Sequence, residues 1–189
     1  MFDDNRSKRV VLTSHCLLNQ NAISDGTADY SCCFLEVVEQ IVGKGIGIIQ
    51  MPCPELICLG LDRGDCNGSE REILVENSRI RDQLLTEENQ KVLDKLVSSL
   101  IYQITEYKKN GFIIHGVIGV NRSPSCGVNT TSENNGEVEG YGVFIEKLLE
   151  SLHQKRLMLP MVGVKTSTPE KAVEEVNRLL SRTDYEYHS

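Results

Sequence analysis

Hydrophobic and polar positions alternate between two periods along this 189-residue chain, and the changes of period mark out its elements. Lys8-Arg9-Val10-Val11-Leu12-Thr13-Ser14 is a short β-branched run that stops on polar residues, which predicts a first strand. Between Tyr30 and Val42, Phe34, Val37, Val38 and Ile41 fall at helical spacing, and Gly43 and Gly45 end the pattern. Ile46-Gly47-Ile48-Ile49 predicts a second strand, cut off by Pro52 and Pro54. Residues 55–72 hold Gly, Asp, Asn and Ser without periodicity and predict a long, functional loop.

The strongest helix is expected over 87–109, where Leu93, Leu96, Val97, Leu100, Ile104 and Tyr107 form one apolar stripe. Thr86 is its expected N-cap, Glu87 and Glu88 suit the dipole of the first turn, and Asn110-Gly111 closes it. Phe112 to Val120 is nearly all apolar, as a central parallel strand buried on both faces should be. Gly140-Tyr141-Gly142 opens a helix running to about Gln154, and Leu157 to Val162 predicts a fourth strand. Thr168-Pro169-Glu170, an N-cap followed by proline, starts a last helix to Leu180. Strands alternating with helices predict an α/β fold, a single doubly wound domain over residues 1–189 with a mostly parallel sheet and helices on both faces. No repeat, low-complexity tract or linker interrupts it, and the tail from Asp184 to Ser189 is expected to be loosely held.

Composition narrows the function classes. A chain 40% hydrophobic and 25% charged is neither disordered nor a membrane protein by composition. Twenty Lys plus Arg against 27 Asp plus Glu give a net charge of −7, which disfavours broad nucleic-acid binding. No signal-like segment or eighteen-residue apolar span is visible, so a cytoplasmic protein is expected. Seven cysteines, an odd number in a reducing compartment, argue against a disulfide framework.

Three of those cysteines share a position in the predicted fold. Cys16, Cys53 and Cys126 each follow the end of a predicted strand, 37 and 73 positions apart. The carboxyl ends of parallel strands share one edge, where ligand crevices form. A closed zinc site takes four ligands, usually with a CxxC pair, and the chain has none. Three thiolates suit a 4Fe–4S cluster with one iron left open as a Lewis acid. The alternatives are three unrelated buried cysteines or a thiol-redox pair such as Cys53 with Cys58. Pro52 and Pro54 hold Cys53 on a rigid turn, and Gly127 permits close approach or a positive φ after Cys126. Glu55 is placed to act as a general base or, equally, as a capping carboxylate. Ser123 and Ser125 suit hydrogen bonding in the turn around Pro124.

Ser14-His15-Cys16-Leu17-Leu18, Cys53-Pro54-Glu55 and Ser123-Pro124-Ser125-Cys126-Gly127, in this order, resemble the TudS-type thiouracil desulfidase family. The match extends to Asp25-Gly26, Gly60-Leu61, Arg63 and the glycines 140 and 142, covering roughly residues 8–155. The resemblance implies an α/β domain with a 4Fe–4S cluster on Cys16, Cys53 and Cys126, Glu55 as acid/base group and Ser123 as catalytic serine. It implies a thiolated small-molecule substrate such as 2-thiouracil, with Ser125, His15 and Arg63 at the substrate, and cluster-assembly machinery as partner. Another hydro-lyase or hydrolase reaction on an open iron, or a non-catalytic iron–sulfur or sulfide carrier, are the alternatives. The family's usual Cys-Arg-Tyr-Asp-Gly is here Ala22-Ile23-Ser24-Asp25-Gly26, its Gly after Cys-Leu-Leu is Asn19, and its Pro-Thr-Pro-Arg turn is Leu61-Asp62-Arg63-Gly64.

The remaining candidates have plain roles beside functional ones. His15 lines the crevice or assists at the cluster, and His115 is expected to pack in the core. Cys32 and Cys33 are expected on the first helix as packing residues. Cys58 and Cys66 are possible fourth ligands, and Gly140-Tyr141-Gly142 a possible anion site.

Overall fold

The protein is described by a computed structural model covering residues 2–181; the tail from Asp184 to Ser189 lies outside the described residues. Its elements in chain order are β1 (Arg9–Thr13), α1 (His15–Leu18), α2 (Leu35–Gly43), β2 (Gly47–Gln50), α3 (Pro54–Leu59), α4 (Ile73–Leu84) and α5 (Glu87–Lys109). β3 (Ile113–Val120), β4 (Thr130–Glu133), β5 (Gly136–Glu139), α6 (Val143–Gln154), β6 (Met161–Val164) and α7 (Pro169–Leu180) follow.

Four parallel strands pair in the order β2-β1-β3-β6. Alternation along β1 divides two cores. Val10 and Leu12 face Ile80, Leu93, Leu100 and Phe144 from α4, α5 and α6, whereas Val11 faces Val37, Ile41 and Val176 from α2 and α7. This is the doubly wound α/β arrangement, with helices on both faces. From β1 the chain moves outward to β2, then returns to β3 on the other side, so the order reverses between β1 and β3. A crevice opens at such a point, above the carboxyl ends of the strands.

One extra residue of β3 opposes β1 between Val10 and Leu12. The bulge falls at His115-Gly116, and Gly116 has φ +138°, with the Pro160 carbonyl where a Cβ would sit. His115 is buried in the core as expected, and its Nε2 accepts from Arg9 Nε at 3.1 Å.

Helix α5 occupies the expected residues, but the Thr86 and Thr168 side chains do not cap. Thr86 Oγ1 donates back to the Gln83 carbonyl instead. Several bounds differ from expectation. α2 starts five residues later than Tyr30, leaving residues 30–33 irregular and Cys32 and Cys33 off the helix. β6 lies at Met161–Val164, further along than expected, and the stretch 55–72 contains most of α3. Helix α4 and the β4–β5 hairpin carry no clear apolar period. Asn134 and Asn135, at φ +51° and +60°, make the hairpin's tight turn.

Candidate active site

Each of the three strand-end cysteines reaches the crevice by a different local device. β1 runs into α1, which carries Cys16 as its second residue. Pro52 and Pro54 turn the chain after β2 so that Cys53 is the N-cap of α3, its sulfur accepting from the Leu56 amide at 3.4 Å. After β3 the chain tightens over 123–127: Ser123 Oγ accepts from the Ser125 and Cys126 amides at 3.3 and 3.0 Å. Gly127 is required by close approach, because its missing Cβ would meet the Thr130 and Ser123 carbonyls.

The same turn accounts for Gly142. A Cβ there would strike the Ser125 carbonyl, and the first amides of α6 donate to the Pro124 and Ser125 carbonyls. Val143 N and Phe144 N make these bonds at 3.0 Å each. The helix start therefore clamps the Cys126 turn, and its amides are spent on it rather than left for an anion.

Cys16, Cys53 and Cys126 line one cavity of about 90 Å³ together with His15, Glu55, Arg63, Ser123 and Ser125. All the proposed site residues thus meet at one place. Cys58 instead packs against the core, and Cys66 lies exposed beside Asn67; neither lines the cavity. Burial pushes the Cys16 thiol well up, followed by the effects of Cys126 and Cys53. Burial and then Glu55 push Cys53 to about 11, and burial and then Cys53 push Cys126 to about 12. By themselves these thiols hold their protons.

Glu55 is 7% exposed and sits at the centre of a hydrogen-bonded group. Its Oε1 accepts from Ser125 Oγ at 2.6 Å and, more loosely, from Ser123 Oγ at 3.5 Å. Its Oε2 accepts from Ser24 Oγ at 3.3 Å and Arg63 Nε at 3.1 Å. Arg63, 2% exposed, also donates to the carbonyls of Ala22, Gly60 and Leu61 at 2.5, 2.8 and 3.2 Å. It therefore stands behind Glu55 as its buried counter-charge and as a tie between two loops. Behind it, Arg79 donates to the Arg63 carbonyl at 2.9 Å.

His15 Nδ1 meets the Gln50 amide nitrogen at 2.8 Å. With the Gln50 amide donating there, the neutral ring carries its proton on Nε2, and burial first, then Arg63, lowers the imidazole pKa. That Nε2 and the Thr13 hydroxyl are buried without a hydrogen-bond partner, whereas the Ser14 side chain hydrogen-bonds the Cys126 thiol.

Other lining residues carry no motif: Ser24 and Asp29 from the loop after α1, Asn77 from α4, Arg122 after β3, and Lys165 and Thr166 after β6. Thr166 Oγ1 hydrogen-bonds the Asp29 carboxylate across the mouth. The β6 loop could have been found from the strand-end rule alone, since its position resembles that of the three cysteine loops.

The fold and crevice define an α/β protein with a strand-end site built from three thiols and a buried, counter-charged carboxylate. The family model for 2-thiouracil desulfurase matches residues 11–157, and the chain belongs to that family. It is also 27% identical over 157 residues, 83% of this chain and 86% of the relative, to an uncharacterized protein of Methanocaldococcus jannaschii. No solved structure matches the chain at a significant level. Among the described residues no helix is long and apolar enough to cross a membrane.

Proposed function

We propose that this chain is an iron–sulfur-dependent desulfidase, replacing the sulfur of a thiocarbonyl such as that of 2-thiouracil with oxygen from water. The observation that carries the reading is the buried Glu55, fixed by three hydroxyls and one guanidinium on the wall of the cavity the three cysteines share. Family membership supplies the reaction class.

Among the described residues no group of His, Cys, Asp and Glu is gathered tightly enough to hold a single metal ion. The donor set suits a larger group. Three thiols, Cys126 buried and Cys16 and Cys53 half-buried, have raised pKa values and need a strong cationic partner to ionise, and the unpartnered His15 Nε2–H is a donor that a sulfide would satisfy. Cys16, Cys53 and Cys126 would hold a 4Fe–4S cluster. Such a cluster, with one iron not held by protein, supplies a Lewis acid with affinity for the substrate's sulfur.

The protein's own part is proton handling and alignment. Glu55 takes a proton from the water that adds to the thiocarbonyl carbon. Loss of sulfide from that carbon then leaves the carbonyl, so C=S plus H₂O gives C=O plus H₂S with no change of oxidation state overall. Ser123 spends its acceptor capacity on two backbone amides, so its proton is free for Ser125 Oγ at 3.2 Å, for Glu55, or for charge developing on the substrate. Ser125 and Ser24 grip the two carboxylate oxygens and stop the side chain turning.

Anaerobic assay of the iron-loaded chain with 2-thiouracil and a panel of thiolated bases tests this. The expected result is equimolar sulfide and oxo product, with kcat falling at least about 10²-fold in Glu55→Gln at unchanged iron content. An iron-loaded wild type that releases no sulfide from any of the panel, or a Glu55→Gln variant at full rate, overturns the reading.

A further inference from the structure

Cys32 and Cys33 lie outside the catalytic cavity and are free thiols, Cys32 exposed and Cys33 half-buried. Successive side chains of an extended strand point to opposite sides. Here the backbone is bent, and the two sulfurs stand 3.8 Å apart. Bonds from elsewhere hold the bend: the Gln20 amide donates to the Cys32 carbonyl at 2.6 Å, and the Phe34 amide to the Leu17 carbonyl at 2.9 Å. Two sulfurs bonded at about 2.3 Å to one centre stand about 3.3–3.8 Å apart for bond angles between a pyramidal and a tetrahedral centre, so the pair needs at most a small closure. The pair is pre-spaced for a single thiophilic atom.

The surroundings decide which kind of atom. Among the described residues no third His, Cys, Asp or Glu joins the pair in a metal-holding group, so a zinc-type site with three or four protein ligands is not built here. Burial, then Cys32, then Glu36 and Glu39 push the Cys33 thiol up, so it stays protonated. A centre that accepts two neutral thiols and brings its remaining valence with it fits both facts.

We propose that Cys32 and Cys33 form a vicinal dithiol site that captures one trivalent organoarsenical, independently of the reaction in the crevice. An arsonous acid, R–As(OH)₂, condenses with both thiols: two As–S bonds replace two As–O bonds, and each thiol proton leaves with a hydroxide as water. Arsenic stays trivalent, so no oxidant or reductant takes part. The site is tied to the catalytic loop through Gln20, whose side chain donates to the Cys16 carbonyl at 2.8 Å and accepts from the Asp29 amide at 3.3 Å. Ring closure over Cys32 and Cys33 stiffens the segment that carries Cys16.

The test treats the full, iron-loaded chain anaerobically with one equivalent of phenylarsine oxide, followed by peptide mass mapping and amide hydrogen exchange. The expected result is one adduct bridging Cys32 and Cys33, absent from Cys32→Ser and Cys33→Ser, with slower exchange over residues 16–22. An adduct that maps to Cys58, Cys66 or the crevice cysteines, or that survives Cys32→Ser, overturns the site. An adduct at the pair with unchanged exchange overturns the link to Cys16.

Discussion

At Glu55 a carboxylate is kept in an almost dry wall by one guanidinium and three hydroxyls, and the guanidinium is itself buried. Removing one partner of such a pair leaves the other charge uncompensated, which costs about 3–5 kcal/mol. Arg63→Met is therefore expected to lower unfolding free energy by about that amount in urea titrations, whereas a surface arginine such as Arg178 changes it by less than about 1 kcal/mol. Much of this residue-scale picture was legible in sequence. Cys53, Glu55, Ser123, Ser125 and Cys126 sit in short motifs whose prolines and glycine dictate tight turns beside strand ends, and Cys16 directly follows the first predicted strand. Arg63 was expected at the substrate, and its place behind Glu55 was not visible. That place depends on carbonyls of Ala22 and Gly60, which no side-chain pattern records. Ser24 was hidden for the same reason, being brought to Glu55 by a loop without period.

At the scale of elements, α6 and the Cys126 turn form one unit, because the helix's first amides are bonded to the turn's carbonyls. A Cβ at residue 142 would collide with Ser125 backbone. Gly142→Ala is expected to cost about 1–3 kcal/mol and to reduce iron loading at 25 °C, read by thermal unfolding and iron analysis of the same sample. Helix α4 shows why some elements escaped the pattern. Glu76, Asn77 and Ser78 are buried and satisfied by Arg79 and Arg71, by Ser132, and by the Leu74 carbonyl, so polar residues occupy positions where a period would need apolar ones. The β4–β5 hairpin likewise lacks a fully apolar face. The Arg79 hydrogen bonds hold the Glu76 carboxyl below its ordinary range. Its stabilisation is complete above the usual glutamate pKa of about 4.3 and is lost as pH falls through the lower folded value. Glu76→Gln should therefore cost about 1–2 kcal/mol at pH 7 and progressively less in acid, measured by urea unfolding across pH.

For the whole molecule, the order β2-β1-β3-β6 explains how residues up to 110 positions apart in sequence, Cys16 and Cys126, come to share one cavity. Alternating strands and helices made the shared edge legible, since a parallel sheet places all strand carboxyl ends on one side, whereas the strand order itself has no signal in the pattern. The central claim is that the three strand-end cysteines together carry the cluster on which sulfur removal depends. Its most direct test is iron content and sulfide release from 2-thiouracil, measured on the same anaerobically reconstituted samples of wild type, Cys16→Ser, Cys53→Ser and Cys126→Ser. The account predicts about four irons per wild-type chain with sulfide released, and loss of both in each single variant. Full iron content and turnover in any one of the three variants would contradict it.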